Sequence, residues 1–363
     1  MIWPVEAAIG RKSNRKKALA MEMGIIGLPQ SGKSSLFEIM TGIRSRDVYG
    51  EAFVRGQASV PDDRFDRLVA IFHPAKVSPA KVPFVDVHAE GEKAWETVRQ
   101  TLSGADGLLH VVDGFSAADL PEMVEGWRRL EDELILSDLL VVENRRERLQ
   151  KVPQKVLKPA ELLQVELMPR LQTQLERGKP LRDLPLTPEE RHTLRSFSFW
   201  SLRPELVVLN VTEERLGAAA AFQKETGLTD HVIGICGELE GEMAGLSPEE
   251  QQEFLDSLNM AEPAFVRIIQ AAFRLLGRIT YFTVGEDEVK AWVIPAGAKA
   301  PRAAAVIHKD FERGFIKAEV IGYEEFISCG GTLATAKAAG KLRLEGKEYV
   351  VQDGDIISFR FNV

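Results

Sequence analysis

The sequence predicts an α/β fold: a mostly parallel sheet with helices on its faces, an inserted helical hairpin, and a small second domain at the C-terminal end. Three observations predict it. Short apolar runs at 23–27, 82–87, 107–112, 206–209 and 231–235 alternate with helical stretches, the pattern of parallel strands covered on both faces. Between the third and fourth runs lies a different texture, 120–200, rich in Leu, Glu and Arg. After about residue 278 the texture changes again, to short strand-like segments separated by turn residues.

The elements follow in order. Met23-Gly24-Ile25-Ile26-Gly27 is a short apolar run ending in glycine and reads as a buried strand. Residues 34–41 read as a helix, with Leu36, Phe37, Ile39 and Met40 at apolar positions. In the inserted segment Ile135, Leu139, Val142 and Leu149 are spaced by four, three and seven, a heptad-like seam. A second Leu-rich stretch, 162–175, follows Pro153 and Pro159, so two antiparallel helices are expected, with Pro169 kinking or restarting the second. The segment 121–200 holds 14 Lys+Arg and 14 Asp+Glu, as a solvated hairpin would. Residues 247–277 read as helical, opened by Ser247-Pro248-Glu249-Glu250. Tyr281 and Phe282, Val289 to Ile294, 341–344, 349–351 and 356–361 read as strands, with Lys347-Glu348 and Asp353-Gly354-Asp355 at turns. The expected domains are therefore 21–119 with 201–278, an insertion at 120–200, and 279–363.

Composition narrows the function classes. The chain has 363 residues, 45% hydrophobic and 28% charged, with a formal net charge of -8. That length exceeds what one core comfortably fills. The acidic balance excludes wholesale coating of nucleic acid. Two cysteines, Cys236 and Cys329, make neither a disulfide framework nor a zinc site, and a reducing cytoplasm is expected. No window has the ~18 apolar residues of a membrane span, so no membrane association is expected. Residues 1–20 carry Arg11, Lys12, Arg15, Lys16 and Lys17 after an apolar start, the reverse of a signal peptide. They are read as a disordered basic tail or a misassigned start ahead of Met21 or Met23.

The chemistry is concentrated after the first strand. Gly27-Leu28-Pro29-Gln30-Ser31-Gly32-Lys33-Ser34 is a full G-x-x-x-x-G-K-S, placed between a strand and a helix as a P-loop requires. The glycines let the backbone wrap phosphates, and successive N–H groups form an anion nest at the positive end of the helix. Lys33 is expected to neutralise phosphate charge and the Ser34 hydroxyl to ligate Mg²⁺. Ser35 follows in the same turn. Asp86 ends a strand and is the candidate second magnesium partner.

The whole of 22–363 resembles the YchF family, also called Obg-like ATPases. The resemblance is carried by GIIGLPQSGKSSLFEIMTG at 24–42, VPDDRFDRL at 60–68, ELILSDLLVVENRRERLQK at 133–151, ITYFTVGEDEVKAWVIPAGAKAP at 279–301 and KLRLEGKEYVVQDGDIISFRFNV at 341–363. It implies a coiled-coil insertion at 120–200 and a β-grasp-like TGS domain at 279–363, a type that binds RNA or protein partners. It also implies a cytoplasmic protein, expected as a monomer, that hydrolyses ATP in preference to GTP and associates with ribosomes. Asn210-Val211-Thr212-Glu213 stands where guanine-specific relatives have N-K-x-D; Lys is replaced by Val211 and Asp by the longer Glu213. Cys236 and Gly237 stand where the family has Ser-Ala against the base.

Two loops depart from the family. Its switch II reads D-I-A-G-L, and here Asp86-Val87-His88-Ala89-Glu90-Gly91 puts Ala89 at the glycine. Residues 44–60, where a magnesium-binding threonine is expected, contain none, and Ser45 or Ser59 would have to substitute. Lys33, His88 and Glu90 are the candidate catalytic residues, and a nucleotide-binding module with little hydrolysis is the alternative. Gln30 replaces the asparagine that holds potassium in some related GTPases. In 279–363 there are 11 Lys+Arg and 12 Asp+Glu, which argues against strong non-specific RNA affinity, although Lys309, Arg313 and Lys317 are grouped. Phe282, Trp292 and Phe311 are expected to be core.

Overall fold

The computed structural model describes residues 22–44, 52–88, 94–228, 231–244, 246–258 and 260–362. Along the chain run β1 (Met23–Ile26), α1 (Lys33–Thr41), β2 (Phe53–Ser59), α2 (Asp63–Phe72), β3 (Lys76–Ser78), β4 (Lys81–Val87), α3 (Ala94–Thr101) and β5 (Gly107–Gly114). Next come α4 (Leu120–Gln150), α5 (Pro159–Glu176), α6 (Pro188–Leu194), β6 (Glu205–Val211), α7 (Ala218–Thr226), β7 (Val232–Ile235), α8 (Gly237–Met243), α9 (Pro248–Ser257) and α10 (Ala264–Leu275). The chain ends with β8 (Arg278–Thr283), β9 (Glu288–Pro295), α11 (Ala300–Ile307), α12 (Lys309–Arg313), β10 (Phe315–Gly322), α13 (Tyr323–Ser328), α14 (Leu333–Ala338), β11 (Arg343–Glu345) and β12 (Asp355–Phe361).

The chain divides into two compact units: one of 22–56 and Phe84–Phe265, the other of Gln57–Pro83 and 266–362. The first is built on a six-stranded sheet of order β2-β4-β1-β5-β6-β7. β1 pairs in parallel with β4 and with β5, β5 with β6, and β6 with β7. Near-continuous burial along β1, β5 and β6 is what strands covered on both faces require. Ile26, Val85, Leu102, Leu108, Leu130 and Leu134 form one core cluster; Val112, Met123, Val207, Leu209, Val211 and Phe222 form another.

The inserted helices have their own core. Ile135, Val142 and Leu149 of α4 are buried with Leu167, Met168, Leu171 and Leu175 of α5, and Leu139 packs against the cluster half-buried. The spacing of the seam thus predicts the buried face. Pro169 does not restart α5, which runs unbroken from Pro159 to Glu176. The stretch 247–277 is not one helix either. It breaks between α9 and α10, because Pro263 has no N–H to continue a ladder, and the Glu240 carboxylate accepts from the N–H groups of Ala264 (2.7 Å) and Phe265 (3.4 Å).

In the second unit a mixed sheet has the order β11-β10-β12-β8-β9-β3. β8 and β9 form an antiparallel hairpin, and β12 returns parallel to β8. That central insertion of the last strand, with helices crossing between, is a β-grasp arrangement. Tyr281, Ile294, Ala303, Phe315, Val320 and Ile357 fill its core. Phe282 is buried outside that cluster, its ring 6.2 Å from that of Phe65, while Trp292 and Phe311 are half-buried against the cluster. The expected strand at 349–351 is reduced to a single bridge, Val350 to Lys299, and the strand expected at 341–344 begins only at Arg343.

Behind the first sheet lies a buried charge cluster. His110 Nδ1 of β5 meets Glu205 Oε1 of β6 at 2.6 Å, and Arg182 contacts Glu131 of α4 at 2.7 Å and Glu205 at 2.8 Å. Burial would raise the Glu205 carboxyl, but Arg182 and His110 outweigh it and hold it at about 2. Burial and the neighbouring Glu205 push Glu131 up to about 8. We expect Arg182→Met to cost about 3–5 kcal/mol of stability, because the buried Glu205 carboxylate loses its ion-pair partner and Glu131 loses its hydrogen-bond donor; denaturant unfolding measures it. Glu131 binds its proton more tightly folded than unfolded, so its contribution falls as pH rises from the ordinary carboxylate range toward 8. Glu131→Gln is expected to flatten that decline in a pH series of the same unfolding curves.

Candidate phosphate-binding loop

The loop 27–34 joins the end of β1 to the start of α1. Its conformation explains its glycines. At Gly32, φ is 92°, and an added Cβ would lie 2.3 Å from Asn210 Nδ2. At Gly27 a Cβ would lie 2.4 Å from the carbonyl oxygen of Val111 in β5. Gln30 takes the left-handed conformation without being glycine, with φ 65°. Pro29 and Gln30 are exposed, Ser31 is fully buried with its Oγ unpaired, and Gly32 caps α1. Ser34 is half-buried and Ser35 exposed in the first turn.

Lys33 curls back over the loop. Its Nζ donates to the carbonyl oxygens of Gly27 (3.0 Å) and Leu28 (2.7 Å). Burial lowers its pKa, and the charge of Asp86 works in the opposite direction. Asp86 is itself fully buried in β4. An ammonium that makes no carboxylate salt bridge among the described residues, at the positive end of a helix, is suited to an anion.

Asn210 ties three segments together. Its Nδ2 donates to the Ser31 carbonyl oxygen at 3.2 Å, and its Oδ1 accepts from the Gly237 N–H at 3.2 Å. Residues 179 and 27 positions away in sequence are thus fixed against one strand end. Sequence reading took Asn210 and Gly237 as base-facing and missed that Asn210 braces the loop against Gly237; the signal available was a lone asparagine at a strand end. Cys236 is buried at the N-cap of α8. Val211 is also buried, but its side chain lies in the core cluster and adds nothing to the loop. Glu213 is exposed at the start of a short 3-10 turn.

Ser34 offers a hydroxyl in the first turn of α1, and β4 carries the buried Asp86 carboxylate within electrostatic reach of Lys33. No group of three or more His, Cys, Asp or Glu suited to a metal occurs among the described residues. The sparse pair suits Mg²⁺, which keeps most of its waters and takes one or two protein oxygens beside phosphates. His88 Nε2 is 3.5 Å from Asp86 Oδ2, and the His88 N–H donates to Ala52 O at 2.9 Å. Ala89, Glu90 and Ser45 lie outside the described residues; Ser59 is half-buried at the end of β2.

Residues 278–362 match the family model YchF-GTPase_C, described as a protein of unknown function (DUF933). Over nearly its whole length the chain is similar to the ribosome-binding ATPase YchF of Bacillus subtilis, 37% identical, with 95% of this chain and 100% of that protein covered. The chain belongs to the YchF family. It is 35% identical to the YchF of Escherichia coli O157:H7 over 95% of this chain and 100% of that one. Obg-like ATPase 1 of Gallus gallus is 33% identical, with 94% and 93% covered. The solved structure of the Schizosaccharomyces pombe YchF GTPase superposes with a TM-score of 0.81 at 26% identity, covering 98% of this chain and 100% of that one. No helix of the described residues is long and apolar enough to cross a membrane.

Gly32→Ala is expected to destabilise this YchF-family chain by about 1–2 kcal/mol from the left-handed backbone alone. It should also break the Asn210–Ser31 bond, since the new Cβ occupies the place of Nδ2. Unfolding curves read the first effect, and a crystal structure of the variant reads the second.

Proposed function

We propose that this chain binds a nucleoside triphosphate at the loop 27–34 and hydrolyses it slowly, with ATP preferred over GTP, as a ribosome- or translation-associated switch. The observation that carries the reading is Lys33, held inside the glycine loop at the start of α1 and within electrostatic reach of buried Asp86. Relatives that carry the names ribosome-binding ATPase and Obg-like ATPase support it.

The chain's own groups divide the work. Loop N–H groups and the positive end of α1 hold the phosphates, and Lys33 exchanges its carbonyl partners for phosphate oxygens. Ser34 and Asp86 would hold Mg²⁺, which when bound would neutralise phosphate charge. Asn210 keeps the loop and the start of α8 in register, so that Cys236 and Gly237 flank the base. Val211 and Glu213 remove the lysine and the short aspartate of a guanine fork, which favours adenine. His88, beside Asp86, is placed to polarise the attacking water, with Glu90 as the second candidate. The nucleotide-binding domain is assigned to 21–119 and 201–278. The helical insertion at 120–200 and a TGS domain at 279–363 are assigned to contacts with ribosome or RNA, in a monomeric cytoplasmic protein.

A second reading rests on Ala89 at the switch II glycine position and on the absence of threonine from 44–60. Phosphoryl transfer depends on positioned water and charge stabilisation. A chain lacking that γ-phosphate N–H geometry and that magnesium ligand would act as a nucleotide-dependent binding module.

Lys33→Ala is expected to weaken nucleotide binding about a hundredfold, or roughly 2.7 kcal/mol, with the fold retained; unchanged affinity by calorimetry places the site elsewhere. Single-turnover assays of ATP and GTP with Mg²⁺ separate the two readings. ATP cleavage above the Lys33→Ala level supports the slow ATPase, binding without cleavage supports the module, and tight GDP with weak ADP binding overturns the adenine preference.

A further inference from the structure

A cavity of about 480 Å³ opens inside the unit formed by 57–83 and 266–362. Its size falls within the range of small-molecule sites. No residue of the loop 27–34 lines it. One wall is apolar, from buried Phe65 and Phe273 with Ile279 and Ala291. The remaining wall carries three arginines and three aspartates, and the pairing among them is uneven.

Arg64 bridges two of the carboxylates and offsets the charge of one. Its Nε and Nη2 donate to Asp62 at 3.0 and 2.8 Å, and its Nη1 donates to Asp353 at 2.9 Å. Asp62 also caps α2 by accepting from the Arg64 N–H, and Asp353 accepts from the N–H of Thr280 at 2.9 Å. Asp63 sits in the first turn of α2, where the positive end of the helix offsets its charge. Arg274 and Arg278 are left over. Arg274 is exposed on α10 and makes no ion pair among the described residues, and the Nε of Arg278 is buried without an acceptor. A guanidinium does not shed its proton, so both charges persist. The walls are braced: Gln270 Nε2 donates to Pro61 O at 3.2 Å, and the Gly354 N–H donates to Thr280 O at 2.8 Å.

We propose that this cavity binds a small organic phosphate, its dianionic group taken by Arg274 and Arg278 and its apolar body resting on Phe65 and Phe273. With three arginines and three aspartates the wall is formally neutral, so recognition rests on the fork geometry of two guanidinium groups that no carboxylate pairs among the described residues, which suits phosphate oxygens. The site is separate from the loop 27–34 and does not rest on the nucleotide reading.

The test is calorimetry of the full chain with phenyl phosphate. Wild type should bind one equivalent, Lys33→Ala should bind it equally, and Arg274→Met should bind it at least about tenfold more weakly. The double variant Arg274→Met/Arg278→Met should show no binding, and phenol should bind wild type at least about tenfold more weakly than phenyl phosphate. Equal affinity in wild type and Arg274→Met overturns the proposal, as does the absence of binding heat in wild type. Loss in Lys33→Ala instead would move the phosphate to the loop 27–34, and equal binding of phenol would reduce the cavity to an apolar pocket; either overturns it. Arg278 opens β8, so the double variant can fail to fold. Arg274, exposed on α10, then carries the test alone, with its nucleotide affinity unchanged as the control.

Discussion

The carboxamide of Asn210 is the constraint on which the candidate site depends. A glycine loop is free to take many shapes, and its N–H groups converge only if something fixes its far side. Here one side chain holds the carbonyl of Ser31 and the N–H of Gly237 at the same distance, 3.2 Å. Both bonds are partly buried, where an unpaired amide or carbonyl would be costly. The absence of a Cβ at Gly32 and at Gly237 makes room for this carboxamide, so the glycines serve the brace as well as the backbone turn.

That brace works because β6 is itself immobilised. Its first residue, Glu205, is fully buried and holds His110 and Arg182, while Arg182 reaches Glu131 on α4. A buried cluster of this kind is weak evidence for stability by itself, since desolvation offsets most of the attraction. Its geometric consequence is firmer. Satisfying two carboxylates with one guanidinium allows few arrangements, so the register of α4 against β5 and β6 is specified. Asp138 adds to this by accepting from the N–H groups of Trp200 and Ser201, and burial pushes its carboxyl up to about 6.

Much of the fold was legible because the signals are local. The apolar runs at 23–27, 107–112 and 206–209 became strands because residues buried on both faces leave no room for polar alternation. The seam Ile135, Val142, Leu149 became the buried face of α4 because helical period alone decides it. What failed depended on distant partners. β3 has three residues and exists because Lys76, Val77 and Ser78 pair with Glu288, Val289 and Lys290, more than two hundred positions on. The break before α10 required Glu240 to supply a cap from another helix. Val350 found one bridge partner and not a ladder.

The sequence by itself determined the glycine loop 27–34, the parallel sheet that carries it and the seam of the insertion, since spacing and period are properties of neighbouring residues. It also placed Lys33, Ser34 and Asp86 in the right elements. Only the tertiary structure decided that Val211 turns into the core, that Asn210 braces the loop, and which charges are spent on one another. Arg64 and Arg278 look alike in sequence. Both line one cavity, yet the first is held by two aspartates and the Nε of the second has no acceptor, because pairing is set by which side chains the folded chain brings within about 3 Å.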